Sequence, residues 1–291
     1  MGSPAESDLR FWSRPGLLPG LISSTMGYRD DGPPQVLHRG LPSPYLTFLF
    51  SLAGPIVTGT SPEQARGPDA SRTSVIVGGL HSQPAYIVPD AHQEGVQLAV
   101  HPLAARAVFG MPCAELTAVV TEGTDVLGPG AEELRSQMVE LPTWPARFGT
   151  LQQFLRGRVN RGRQPAPPRP EVIRAWRWIA DRRGATSLAG LATYAALSPR
   201  QLGSLFVREV GMSPKQVAGL MRFDHAAQLV GRAPDQMDLS SIALRAGYYD
   251  HADLDRAFTR YAGVSPTGWR AEERRNLQAG GHRNGEDWVH E

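Results

Sequence analysis

The stretch Ile242–Arg270 reads IALRAGYYDHADLDRAFTRYAGVSPTGWR, and its reading decides the fold. Ile242 and Ala243 form a small apolar pair, Gly247 supplies a turn, and Asp250 stands where a second helix would be capped. Leu254, Ala257 and Phe258 then recur at the spacing of one helix face, before Gly263, Ser265 and Pro266 close the segment. A short helix, a tight turn and a second helix packed at an angle make a helix-turn-helix unit. The same pattern stands upstream. Leu188, Leu191 and Ala192 correspond to Leu239, Ile242 and Ala243 at a shift of 51. After a one-residue insertion in the turn, Leu202, Phe206, Arg208, Gly211, Ser213 and Pro214 correspond to Leu254, Phe258, Arg260, Gly263, Ser265 and Pro266 at a shift of 52.

In the first copy Ser187 and Ser198 are the expected N-caps, with Pro199 at the first position of the second helix. The expected buried faces are Leu202, Leu205 and Phe206, and Leu254, Ala257 and Phe258. Opposite them lie Arg200, Gln201, Ser204 and Arg208 in one helix, and His251, Asp253, Arg256 and Arg260 in the other. Between the units, Ser213 to Arg232 reads as a long linking helix. About eighteen residues at 1.5 Å rise span about 27 Å, near the roughly 34 Å between successive major-groove faces of B-DNA.

Charge agrees with this division. Residues 1–155 carry 9 Arg against 14 acids, whereas residues 156–275 carry 20 basic groups against 11 acids, as expected if only the second half meets a polyanion. Lys215 is the one lysine in the chain. The single cysteine, Cys113, excludes an internal disulfide framework and a multi-cysteine zinc site. No apolar run reaches 18 residues and the amino terminus lacks a signal pattern, so a cytoplasmic, nucleoid-associated protein is expected.

The expected class is α+β with two domains. Residues 1–155 form a β-rich, cupin-like sandwich or barrel with flanking helices. Strands are predicted at Tyr45 to Leu52, Thr73 to Leu80, Ala85 to Val88 and Val96 to Val100, with helices at Pro102 to Phe109, Ala131 to Val139 and Trp144 to Arg156. Residues 156–169 are a basic, proline-rich linker, either a solvated hinge or a phosphate-binding arm. Residues 170–275 form an all-α double helix-turn-helix domain, and 276–291 a disordered tail.

On the Ile-Ala pair, the Gly-aromatic turn, Phe258 and the Gly-x-Ser-Pro close, residues 170–275 resemble the AraC/XylS-type bacterial transcription regulators. The amino-terminal part is similar to the divergent sensor domains of actinobacterial members. The resemblance implies a sequence-specific regulator, read as an activator, in contact with double-stranded DNA and RNA polymerase, expected as a homodimer and open to control by a small-molecule effector. It implies base contacts by Arg200, Gln201, Ser204, His251 and Arg256. Their chemistry suits the role, since Arg grips guanine O6 and N7 and Gln grips adenine N6 and N7. Arg208, Lys215, Arg222, Arg260 and Arg270 are better placed for phosphates. Gly203 weakens the first recognition helix by about 1 kcal/mol relative to Ala. Asp253 and Asp255 burden the second, so the first unit is expected to read more of the sequence.

Three rival readings remain at this level. Cys113 follows Pro112, a setting that alkyl-transfer relatives use, but the sequence continues Ala114-Glu115 without the neighbouring His that would make a thiolate, so a buried structural cysteine is expected. His81, His92, Glu94 and His101 lack the His-x-His plus downstream Glu of a cupin metal site, and neither metal nor cofactor is expected. The third is an effector-independent architectural DNA-binding protein. Trp12, Tyr28, Tyr45, Tyr86 and Trp144 line a pocket or fill a core; no ligand residue is assigned.

Overall fold

The computed structural model describes residues 9–32, 37–161, 166–234, 238–273 and 289–290. The β domain contains β1 (Arg10–Ser13), β2 (Ile22–Asp31), β3 (His38–Gly40), β4 (Leu46–Ser51) and β5 (Ile56–Gly59). After α1 (Pro62–Arg66) come β6 (Ser71–Thr73), β7 (Val75–Gly78), β8 (Ala85–Val88) and β9 (His92–Val100). Then follow α2 (Ala105–Phe109), β10 (Thr121–Glu122), α3 (Gly123–Leu127), α4 (Gly130–Glu140) and α5 (Trp144–Arg161). One sheet has the order β10-β7-β4-β9-β2-β1, extended by a two-residue strand, β11 (Val289–His290), and a smaller one has the order β3-β8-β5-β6.

Alternation along the strands sorts the two faces of the large sheet. Phe48 pairs with Val77 and Leu98, and with Phe50, Val75 and Val96 these side chains join one buried core with Leu134, Met138, Leu151 and Leu155 of α4 and α5. The intervening residues, Leu49 paired with Ile76 and Gln97, face a cavity instead. Gly27 in β2 has a steric reason: a Cβ there would stand 2.3 Å from the ring of Trp144, which stacks on Trp12 at 4.5 Å. Arg147 of α5 is buried with Glu94 of β9 at 2.7 Å, tying helix layer to sheet.

The predicted strands at 45–52, 73–80 and 96–100 are β4, β7 and the second half of β9, and the one at 85–88 is β8. The structure adds β1, β2, β3, β5 and β6. It also corrects the linker: α5 continues to Arg161, so residues 156–161 are helical, and 162–165 lie outside the described residues. The tail expected from 276 likewise lies outside them, apart from β11.

The carboxy-terminal domain opens with α6 (Pro170–Asp181), which the sequence pattern did not separate from its surroundings; Val172, Ala175, Trp176 and Ile179 are its buried face. The duplication then appears in the helix bounds. α7 (Leu188–Tyr194) and α8 (Pro199–Val210) form the first unit, α9 (Pro214–Arg232) links, and α10 (Leu239–Arg245) and α11 (His251–Ala262) form the second, followed by α12 (Pro266–Glu273). The caps repeat too. Ser187 accepts from the Gly190 amide and Asp238 from that of Ser240; Ser198 accepts from Gln201 and Asp250 from Asp253. Phe223 of α9 meets Phe258 edge-on at 5.2 Å, and Phe258 meets Trp269 at 5.7 Å, so one core serves both units.

Two ion pairs cross between the two domains. Arg106 of α2 pairs with Glu209 of α8 at 2.9 Å. Arg39 of β3 pairs with Glu272 of α12 at 2.6 Å and donates to the Tyr86 hydroxyl at 3.0 Å.

Candidate nucleic-acid interface

The outer face of α8 is built by its cap. Ser198 Oγ accepts from the Gln201 amide at 3.3 Å, while Gln201 Oε1 accepts from the Ser198 amide at 3.1 Å, a reciprocal capping box that fixes the first turn. Arg200, Ser204 and Arg208 are exposed on this helix. Gln201 is exposed as well, but its carbonyl oxygen is held by the box, so reading a base costs it that bond. Glu209, the one acid of α8, turns away to Arg106 and is buried. Glu209 also lies 3.8 Å from Arg208 Nε, so of the two exposed arginines of α8 only Arg208 has an acidic neighbour on its own helix.

The face of α11 differs. His251 Nε2 lies 3.4 Å from Asp255, and Arg256 Nη2 lies 3.3 Å from Asp253, so both expected base-contact residues have an acidic neighbour on their own helix. Tyr249, just before the helix, is 87% exposed, a large side chain at the entry to the recognition helix that sequence reasoning passed over.

Among the expected phosphate contacts, Lys215 and Arg260 are exposed, as is Arg208. Two are corrected. Arg222 donates from Nη2 to the Gly184 carbonyl at 3.1 Å and lies 5.6 Å from the Tyr248 ring centroid, packed between α9 and the α6–α7 turn. Gly184 is required there: its φ is +77° and a Cβ would stand 1.9 Å from the Ala218 carbonyl oxygen. Arg270 is buried and donates to the carbonyls of Pro234, at 2.8 Å, and Ala233, closing the end of α9. Both arginines are thus held by backbone carbonyls of the turns that follow helices, Gly184 after α6 and Ala233 and Pro234 after α9. Arg169, with Arg200, Gln201, Ser204 and Arg208, lines an open notch beside α8.

The other candidates separate. Cys113 is buried, and burial pushes its thiol up to about 12, which keeps it protonated. His81 Nδ1 lies 2.5 Å from the Gln83 carbonyl, His92 2.5 Å from Asp31, Glu94 is paired with Arg147, and His101 packs near Trp176 at 5.4 Å. Among the described residues no group of three or more His, Cys, Asp or Glu is arranged to hold a metal. Trp12 and Trp144 stack on each other, Tyr86 sits at the domain contact, and Tyr28 lines the cavity of the β domain.

Residues 191–272 match a family model described as a helix-turn-helix domain. That segment is a helix-turn-helix domain. The chain is 36% identical over 81 residues to the probable transcriptional regulator LumQ of Photobacterium leiognathi, an alignment covering 28% of this chain and 32% of LumQ. The chain thus spans about a third of the length of that curated relative. The C-terminal domain of AraT, a response regulator from Geobacillus stearothermophilus, is 27% identical, covering 36% of this chain and 88% of that one with a TM-score of 0.33. A variant of apo ToxT from Vibrio cholerae aligns over 85% of this chain and 97% of its own, with 9% identity and a TM-score of 0.50. That likeness concerns the fold: a β-rich domain followed by a helical domain. Among the described residues no helix is long and apolar enough to cross a membrane.

Proposed function

We propose that the protein is a sequence-specific DNA-binding transcription regulator whose α8 and α11 enter adjacent major grooves of one duplex. The observation that carries this reading is the pair of capped helices with exposed arginines, one in each of the two units that the 19-residue α9 links. At 1.5 Å per residue α9 spans about 28 Å, which with its flanking turns suits grooves one helical turn apart. Arg200, clear of the one acid of α8, and the ion-paired His251 and Arg256 of α11 support unequal roles, with Arg200 and Ser204 reading bases and α11 contributing more to placement. Arg208, Lys215 and Arg260 hold phosphates. An activator acting with RNA polymerase, as a homodimer in the cytoplasm and under a small effector sensed by the β domain, is the fuller form of the same proposal.

Selection of duplexes from a random pool by the full chain tests it. The expected result is a bipartite motif with two parts about one helical turn apart; recovery of no motif would support an architectural protein instead. Arg200→Ala should relax preference at one base pair at a cost of roughly 1–3 kcal/mol. Equal losses on selected and scrambled duplexes would sink that assignment.

A further inference from the structure

A cavity of about 220 Å³ lies between the inner face of the large sheet and the small sheet, and α9 adds Phe223, Asp224 and Ala227 to its wall. Met26, Leu49, Ile76 and Ile87 make much of the remainder apolar. No Arg or Lys is among the described residues that line it. Its acids are not equivalent. Glu94 is already neutralised by Arg147 at 2.7 Å, and Asp90 is exposed at the margin. Asp224 is different: its carboxylate accepts a hydrogen bond from Gln228 Nε2 at 2.9 Å. Arg232, two turns further along α9, attracts it through space, and that attraction offsets only part of the cost of burial. Burial raises its pKa to about 6, so at neutral pH it is mostly a carboxylate at the wall of an apolar chamber. His81, whose Nδ1 lies against the Gln83 carbonyl, is kept neutral by burial and does not compensate it.

A buried charge with so little compensation is costly, and a ligand that supplies the opposite charge recovers that cost on binding. An anionic ligand would meet further negative charge and no Arg or Lys in the described lining, where His92 is already paired with Asp31. We propose that this cavity binds a small organic cation, an ammonium group on an aromatic or aliphatic body, with Asp224 as its counter-ion. This ligand class rests on the reading that the β domain senses an effector. Asp224 belongs to the helix that joins the two recognition units, so the ligand charge bears directly on their spacing element.

The test uses the full chain at pH 7.5 and isothermal titration with 2-phenylethylamine, its matched anion 3-phenylpropionate and the neutral 2-phenylethanol. The amine is expected to bind at least tenfold more tightly than either comparator. Asp224→Asn is expected to weaken the amine at least tenfold, and Asp90→Asn less than threefold. Absence of amine binding, propionate binding as tight as the amine, or unchanged affinity in Asp224→Asn would each overturn the proposal; the ligand comparison needs no variant to fold. Affinity for a selected duplex is measured with and without the amine. Amine binding that leaves DNA affinity unchanged supports the ligand class and overturns only the effector reading.

Discussion

Ala196 and Gly247 hold the same place in the two helix-turn-helix turns, with φ of 56° and 81°. An L-residue with a Cβ loses roughly 1–2 kcal/mol in this left-handed region, whereas glycine enters it freely at some loss of backbone entropy. Ala196→Gly is therefore expected to stabilise the protein by about 0.5–1 kcal/mol, read as a higher midpoint in thermal unfolding; an unchanged or lower midpoint would contradict the strain. Asp224 gives a second expectation with a definite sign. Its folded-state pKa, about 6, lies above the ordinary 3.8, so its contribution to stability is present at low pH and is lost as pH rises through the folded value. Asp224→Asn should be more stable than the parent at pH 7.5, by up to about 3 kcal/mol, and no more stable at pH 4. Neither Asp224 nor the buried roles of Arg222 and Arg270 were legible in the sequence. Their surroundings come from segments distant along the chain: the small sheet for one, the Gly184 carbonyl for another, the end of α9 for the third.

At the scale of elements, legibility follows the strength of local rules. The second unit's caps, turn glycine and apolar stripe act within a few residues of one another, so the helices from α7 to α11 lie where the duplicated pattern puts them. α6 has no counterpart in the second unit, and the repeat does not reveal it, although its Val172, Ala175, Trp176 and Ile179 keep helical spacing. β2 was hidden for a different reason. It lies between β9 and β1, and its buried residues Thr25, Met26, Gly27 and Tyr28 run consecutively, so no period of two marks it. The linker shows the same limit: its arginines read either as a solvated hinge or as a phosphate-binding arm, and Arg169, at the cap of α6, joins the notch beside α8. Arg169→Ala is expected to weaken binding to selected and scrambled duplexes alike and to lower the slope of log affinity against log salt by about 1, measured by titration over a range of salt. An unaltered slope would return Arg169 to the hinge.

For the molecule as a whole, the acidic β domain and the basic helical domain are joined at separate points, Arg106 to Glu209 on the first unit and Arg39 to Glu272 beyond the second. Glu209 has a side-chain exposure of 9%, so removal of Arg106 leaves a carboxylate nearly out of water. Arg106→Ala should cost roughly 1–3 kcal/mol, and adding Glu209→Gln should recover part of it, because the remaining group is then uncharged. Denaturant unfolding of the single and double variants checks this; additive losses would show that the pair is not coupled. Lys215, exposed in the first turn of α9, is the only lysine in the chain. Apart from the terminal amine, an acylating reagent therefore has one amine to find, at the start of the helix that links the two units. The rate of that single modification, with and without DNA, is a built-in reporter of whether a duplex covers the start of that helix.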